Sequence, residues 1–192
     1  MSEARSNIDF LKFIDNREDT RSTGEASSSF GKETVASGEF AQAIGRKTEA
    51  AGRASYASGN LSKAVAPCSS AQGHGAKAIR SHQSAFAGGF FNEIGDAQFS
   101  KICIKFSLTP EEPKDLIPLL ELEQNRMYNI LCKGIYISDD NNGDKFEIEF
   151  NYCNYFLKNI QDSMNFRHDI EYVIHFEKST KVLLYIEILE IK

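Results

Sequence analysis

Residues 31–59 read GKETVASGEFAQAIGRKTEAAGRASYASG, and this stretch decides the fold because one pattern recurs in it every seven residues. An alanine returns eight times, five positions after the start of each unit, and the position three after each start is small or polar. The repeated alanines are Ala36, Ala43, Ala50, Ala57, Ala64, Ala71, Ala78 and Ala85. Glycine occupies six of the eight unit starts, at Gly31, Gly38, Gly45, Gly52, Gly59 and Gly73.

A period of seven is typical of a coiled coil, but a helix is excluded here. One glycine per unit would cost about 1 kcal/mol relative to alanine in a helix interior, and the large aliphatic residues of a coiled-coil seam are missing. A short strand followed by a glycine turn fits the pattern, since glycine adopts the positive φ of tight turns. Two units then form one 14-residue coil of a parallel β-solenoid, with alanines in its core and glycines in its turns.

The interior of such a solenoid buries too little apolar surface to hold a single chain together, because its core consists of alanine methyl groups. Larger apolar residues occupy outward positions and are expected to pack across a subunit interface. We therefore expect an obligate oligomer, most simply a homotrimer. The residues expected at that interface are Val35, Ile44, Val65, Ile79 and Phe86.

Composition divides the chain into three parts. Residues 1–23 start with a short apolar piece and continue as a charged linker, which is typical of either an N-terminal cap on the solenoid or a docking segment. Residues 24–100 form the expected heptad-repeat shaft. Residues 101–192 carry sixteen acidic and eleven basic side chains, so the net charge of −5 belongs to this part.

The C-terminal part is expected to form a small antiparallel β domain, because apolar and polar residues alternate in it. Strands are predicted at 102–108, 127–138, 144–155, 168–177 and 181–191, whereas 116–122 fits either a strand or a helical turn. The dipeptide Asn142-Gly143 between two apolar runs predicts a hairpin.

No catalytic, metal-binding or cofactor-binding motif is present, so the sequence predicts a protein that is not an enzyme and holds no cofactor or metal. The acidic run Asp139, Asp140 and Asp144 lacks the alternating ligands of a calcium loop, and a hairpin turn is favoured there. His74 and His82 are expected to be surface or interface histidines rather than metal ligands on a threefold axis.

Composition also excludes several partner classes. No apolar stretch of ~18 residues is long enough to span a membrane, and no basic stripe offers the phosphate contacts of a nucleic-acid-binding protein. Residues 1–13 have no apolar core of a secretory signal, so synthesis in the cytoplasm is expected. Cys103, Cys132 and Cys153 fall in apolar runs and are predicted to be buried free thiols rather than disulfides.

Two resemblances extend this interpretation. Segments 36–45 and 50–59 resemble the head repeats of trimeric autotransporter adhesins, and the match covers about residues 24–95. It implies a left-handed parallel β-roll in which three chains share one axis. Residues 95–100 (GDAQFS) and the last strand, 181–191, resemble the junction and final strand of bacteriophage tail-fibre and related virion proteins. In those proteins a similar repeat runs into a compact β-rich C-terminal domain.

The absence of a secretory signal and of a membrane-anchoring barrel favours the virion context. The resemblance then implies a trimeric fibre of a phage tail or of a phage-derived contractile injection particle, assembled into a virion or extracellular particle. Its expected partners are further copies of the chain, other tail or baseplate proteins, and a cell-surface receptor or glycan. A pure trimeric scaffold or plug of such a particle, and a bacterial surface adhesin, are the alternatives. The candidate target-contact residues, which equally fit a core position, are Tyr152, Tyr155 and Phe156.

Overall fold

The computed structural model of the chain is all-β, as the repeat predicts. It describes residues 19–109, 114–115, 120, 122, 127–138, 143–153, 173–174 and 180–191. A parallel β-solenoid of about five 14-residue coils is followed by an antiparallel sheet. The chain divides into two units, Met1–Gly95 and Asp96–Lys192.

Ten strands build the solenoid of the first unit. They are β1 (Arg21–Ser22), β2 (Ser28–Lys32), β3 (Val35–Ala36), β4 (Gln42–Arg46), β5 (Glu49–Ala50), β6 (Tyr56–Asn60), β7 (Lys63–Ala64), β8 (Ser70–His74), β9 (Lys77–Ala78) and β10 (Ser84–Ala87). Each strand pairs in parallel with the strand one coil further on, so that every residue lies beside the residue 14 positions later. The two seven-residue units of a coil therefore form two different walls, one of long strands (β2, β4, β6, β8, β10) and one of short strands (β1, β3, β5, β7, β9).

The interior of the coils is a stack of small side chains. All eight repeated alanines are fully buried. The second interior position of each unit is buried too, and it is occupied by Thr34, Ala41, Thr48, Ser55, Ser62, Ser69, Ala76 and Gln83. Because both interior positions carry mostly small residues, the two walls of the solenoid can approach each other closely.

The turns differ from the prediction that glycine supplies their positive φ. Gly38 and Gly52 do open turns, in which the N–H groups of Ala41 and Ser55 donate to their carbonyl oxygens at 3.1 and 3.2 Å, but neither glycine has a positive φ. The left-handed residue lies two positions after the unit start instead. At this position stand Ala26, Glu33, Phe40, Lys47, Ala54, Leu61, Cys68 and His82, with φ between 51 and 61°. The other predicted turn glycines, Gly31, Gly45, Gly59 and Gly73, lie inside the long strands.

Close approach of successive coils explains why these positions are glycine. A Cβ atom on Gly45 would overlap the carbonyl oxygen of Gly59, and one on Gly38 would overlap that of Gly52. All six repeat glycines face the next coil in this way. The main requirement is thus the missing Cβ, and the glycines inside the long strands also have φ between 103 and 122°.

The second unit is built from long antiparallel strands. They are β11 (Ala97–Leu108), β12 (Lys114–Asp115), β13 (Met127–Ser138), β14 (Gly143–Cys153), β15 (Val173–Ile174) and β16 (Thr180–Ile191). The order within this unit is β14-β13-β16-β11, and β12 pairs separately with β15. The strand predicted at 127–138 has those bounds, and the predicted pairing of β13 with β14 is confirmed. The turn residues Asp139 and Asp140 lie outside the described residues.

One side of this sheet forms the core of the second unit. Its buried residues are Ile102, Leu120, Tyr128, Ile130, Cys132, Val182, Leu184, Ile186 and Ile188. Alternation along the strands sends the intervening side chains to the opposite side, which we call the outer face. The outer face consists of the odd-numbered residues 99–107 of β11, 129–137 of β13 and 181–191 of β16.

Candidate interaction surfaces

The predicted subunit-interface residues of the shaft lie in three separate rows. Val65 and Ile79 are 14 positions apart and stack on one another outside the short-strand wall, with Val65 45% exposed. Ile44 and Phe86 share a row on the long-strand wall, but Ser58 and Gln72 of the same row separate them. Val35 lies in a third row. Of the five predicted interface residues, only Val65 and Ile79 are therefore neighbours in the same row.

Ion pairs between successive coils were not predicted from the sequence. Lys47 Nζ lies 3.2 Å from Glu33 Oε2 and Lys63 Nζ 2.8 Å from Glu49 Oε2, and in both pairs the partners are 14 residues apart. Arg53 Nε donates to Glu39 Oε2 at 3.1 Å with the same spacing. Opposite charges at a spacing of 14 were the sequence signal for these contacts. Each pair is at least partly exposed and contributes little by itself, but all three favour the same coil register.

A short segment closes the C-terminal end of the repeat. Phe90 packs over Gly75, where a side chain would collide with the ring, and its ring meets the His74 ring edge-on at 5.4 Å. The N–H of Gly95 donates to the carbonyl of Gly75 at 2.9 Å. This explains why Gly75 replaces the larger residues that hold the equivalent position in earlier coils.

The outer face of the C-terminal sheet exposes an apolar stripe. Ile135 and Ile137 of β13 are 55% and 54% exposed, and Leu189 of β16 is 59% exposed. The other large apolar residues of this face that remain exposed are Leu183, Tyr185 and Ile191. Along β16 the stripe runs from Leu183 to Ile191, with Glu187 between Tyr185 and Leu189. Isolated apolar residues are common on surfaces, but several on one face indicate an interaction surface.

A groove deepens one end of the outer face. Its volume is about 450 Å³, and its apolar lining includes Ile135, Ile137 and Leu183. Lys105 and Lys181 also line it, and both are exposed. The groove thus combines an apolar lining with positive charge.

Polar side chains cluster halfway along the same face. The Tyr185 hydroxyl donates to Glu187 Oε1 at 3.1 Å, and Lys101 Nζ lies 3.8 Å from the same oxygen. Lys101 Nζ also lies 5.4 Å from the centre of the Phe99 ring. Hydrogen bonding to Tyr185 and the negative charge of Glu187 raise the pKa of Lys101. The lysine therefore stays cationic at neutral pH.

The buried thiol of Cys132 is not an activated nucleophile. Burial raises the pKa of the Cys132 thiol to about 11, so it remains protonated at neutral pH. Cys68 and Cys103 are free and exposed. The prediction that Cys103 is buried was wrong, because alternation along β11 places it on the outer face. The Cys153 side chain lies outside the described residues.

The remaining candidate sites are a metal site and the target-contact residues. Within the described ranges no three His, Cys, Asp or Glu side chains are close enough to hold a metal ion. Among the same residues no helix is both long and apolar enough to cross a membrane. Tyr152 belongs to β14 and pairs in register with Tyr128, but its side chain lies outside the described residues, as do Tyr155 and Phe156 altogether.

Comparison with known proteins assigns no family to the chain. No family model matches it, and no match is found among curated proteins or solved structures.

Proposed function

We propose that this protein is a structural, non-enzymatic homotrimeric fibre of a phage tail or of a phage-derived contractile injection particle, and that it contacts a target surface. The observation that carries the proposal is a solenoid of 14-residue coils followed by an antiparallel β domain. This is the order implied by the resemblance of residues 24–95 to adhesin head repeats and of residues 95–100 to a tail-fibre junction.

The exposed apolar side chains of the shaft support a trimer. Its apolar interior consists of alanine side chains, so a single chain buries little apolar surface. Larger residues point outward instead, with Phe30 48% and Phe86 39% exposed. Packing against further copies would remove these side chains from water.

The proposed function also assigns the protein a location and partners. The chain is synthesised in the cytoplasm and joins other tail or baseplate proteins in a virion or extracellular particle. Its target is a cell-surface receptor or glycan. It needs no cofactor or metal, binds no nucleic acid and inserts into no membrane.

A second candidate is a trimeric scaffold or plug of such a particle, without a target of its own. The apolar outer face favours it, since residues such as Ile135 and Leu189 fit a surface that is permanently covered in an assembly. A bacterial surface adhesin is the third candidate, and it predicts the protein on the cell envelope.

Sedimentation of the full-length protein at micromolar concentration tests the trimer. We expect a species of three times the chain mass, and a folded monomer would contradict the proposal.

Co-purification with sheath and tube proteins distinguishes the particle from the envelope adhesin. Binding to whole cells or glycans that Tyr155→Ala weakens would favour the target-contacting fibre, whereas no binding by the native trimer would favour the scaffold.

A further inference from the structure

We propose that the outer face of the C-terminal sheet is the docking site for an amphipathic α-helix of another protein, and that this helix carries acidic residues beside its apolar side. The inference identifies a partner by its chemistry. It goes beyond the proposed function and does not depend on the trimer.

The apolar stripe of the outer face is narrow. Its members lie on β16 and on the neighbouring strand β13. On β11, at the other side of β16, the exposed positions of this face are Cys103, Lys105 and Ser107 instead. The stripe is therefore about two strands, or roughly 10 Å, wide.

The width of the stripe selects the shape of the partner. An α-helix is about 10–12 Å across with its side chains and buries one apolar side, so a single helix covers the stripe. A second β-sheet would pack over all three strands and would also cover the polar residues of β11. From Leu183 to Ile191 the stripe is about 27 Å long, which corresponds to a helix of about 18 residues.

Three lysines give the outer face a positive margin on the side away from β14. Lys101 and Lys105 lie on β11, and Lys181 lies near the start of β16 at the groove. Lys101 is 3.8 Å from Glu187, whereas no ion pair among the described side chains involves Lys105 or Lys181. Residues 101–192 carry more acidic than basic side chains, so this positive margin is a local feature and not a property of the whole domain.

Other occupants fit these features less well. A second copy of the outer face would bring another Lys105 and Lys181, and the one carboxylate among the described side chains of that face, Glu187, already lies beside Lys101. A small ligand in the groove would leave the Leu189 end of the stripe uncovered. A helix with carboxylates beside its apolar side complements both the stripe and the lysines.

Two synthetic peptides of about 18 residues serve as probes of the full-length protein. Both carry leucine at every third or fourth position, and the flanks of the leucine side are glutamate in one peptide and lysine in the other. In fluorescence anisotropy we expect the native protein to bind the glutamate peptide at least tenfold more tightly than the lysine peptide, and added salt to weaken this binding. No saturable binding of the glutamate peptide, or equal affinity for both peptides, would overturn the proposal.

Two double variants locate the site. Lys105→Glu with Lys181→Glu should lower the affinity for the glutamate peptide at least tenfold and raise that for the lysine peptide, a gain that a misfolded variant cannot give. Ile137→Thr with Leu183→Thr keeps residues that strands favour and should weaken the glutamate peptide at least tenfold. Arg46→Glu, at an exposed position of the solenoid, is the control and should change the affinity less than twofold. Unchanged affinity in both double variants would overturn the site.

Cys103 reports whether the outer face is free, because it is exposed there and pairs in register with Tyr185. In the native protein we expect a maleimide to label Cys103 within threefold of the rate of the exposed Cys68. Saturating glutamate peptide should slow the labelling of Cys103 at least tenfold and leave that of Cys68 unchanged.

Slow labelling of Cys103 without peptide would mean that this chain or another copy already covers the face. That result would overturn the docking site and leave the trimeric fibre in place. A monomeric native protein that binds the glutamate peptide would overturn the trimer and support the docking site.

Discussion

At the scale of single residues, the glycines of the long strands are constrained in two ways at once. Gly45 combines a φ of 121° with a Cβ direction that points into the carbonyl oxygen of Gly59. Alanine stands in this row only at Ala87, where the repeat has no coil 14 positions further on. The backbone of the following coil fills the space that a side chain would need.

Replacing Gly45 by alanine is therefore expected to lower the free energy of unfolding by about 3–5 kcal/mol, through steric overlap and an unfavourable φ together. Chemical denaturation followed by circular dichroism measures the change. Gly88→Ala is the control, because nothing lies within 4 Å of a Cβ at that position. Equal effects at the two positions would contradict the close-approach explanation.

Cys132 gives a prediction about pH. Its pKa is about 11 in the folded protein, whereas in the unfolded chain it titrates near its ordinary value of 9.0. Between these values the unfolded chain binds fewer protons, so stability falls as the pH rises from about 9 to about 11 and loses nothing further above that. The loss is at most about 3 kcal/mol.

Cys132→Val removes this titration while keeping an apolar side chain of similar size. We expect the difference in unfolding free energy between pH 8 and pH 10.5 to be smaller in the variant than in the native protein. The same alkaline loss in both would show that other groups cause it.

At the scale of the coil, the alanine rows set the distance between the two walls. Ala57 is fully buried between Ala43 and Ala71, its neighbours in register. A larger side chain there has to push the walls apart, because the stacked strands above and below leave no lateral space.

Ala57→Val is expected to cost about 1–3 kcal/mol. Ala51→Val is the matched control, since Ala51 is only half-buried and its row already contains Val65 one coil further on; we expect a change within about 0.5 kcal/mol. Urea unfolding at a fixed protein concentration compares them. A tolerated valine at position 57 would mean that the interior is looser than the alanine row indicates.

At the scale of the whole molecule, stability is expected to depend on association. If the folded chain exists as a trimer, dilution favours unfolding by mass action. The thermal midpoint should therefore rise with protein concentration over a hundredfold range. Circular dichroism suits this measurement, because the chain contains no tryptophan. A midpoint independent of concentration would indicate a stably folded monomer and count against the fibre.

The sequence by itself determined the coil. A period of seven with alanine and glycine at fixed positions has one compact β solution, and the 14-residue register and the buried alanines follow from it. The strand at 127–138 was predicted to the residue because apolar alternation is a local signal.

Only the tertiary structure decided the rest. The repeat glycines are required because their backbone touches the next coil, and a single heptad does not reveal that contact. The residues whose backbone is left-handed are not glycines. The run from Val182 to Ile191 is apolar at both odd and even positions, so its sequence does not tell which set faces the core. The even residues Val182 to Ile188 are buried in one cluster with Leu120 and Ile130. Glu190, also an even position, is buried too, and its Oε2 accepts a 3.2 Å hydrogen bond from Gln98. The odd set is left on the outer face because burial is a property of what packs against a strand, and that partner lies far away in the sequence.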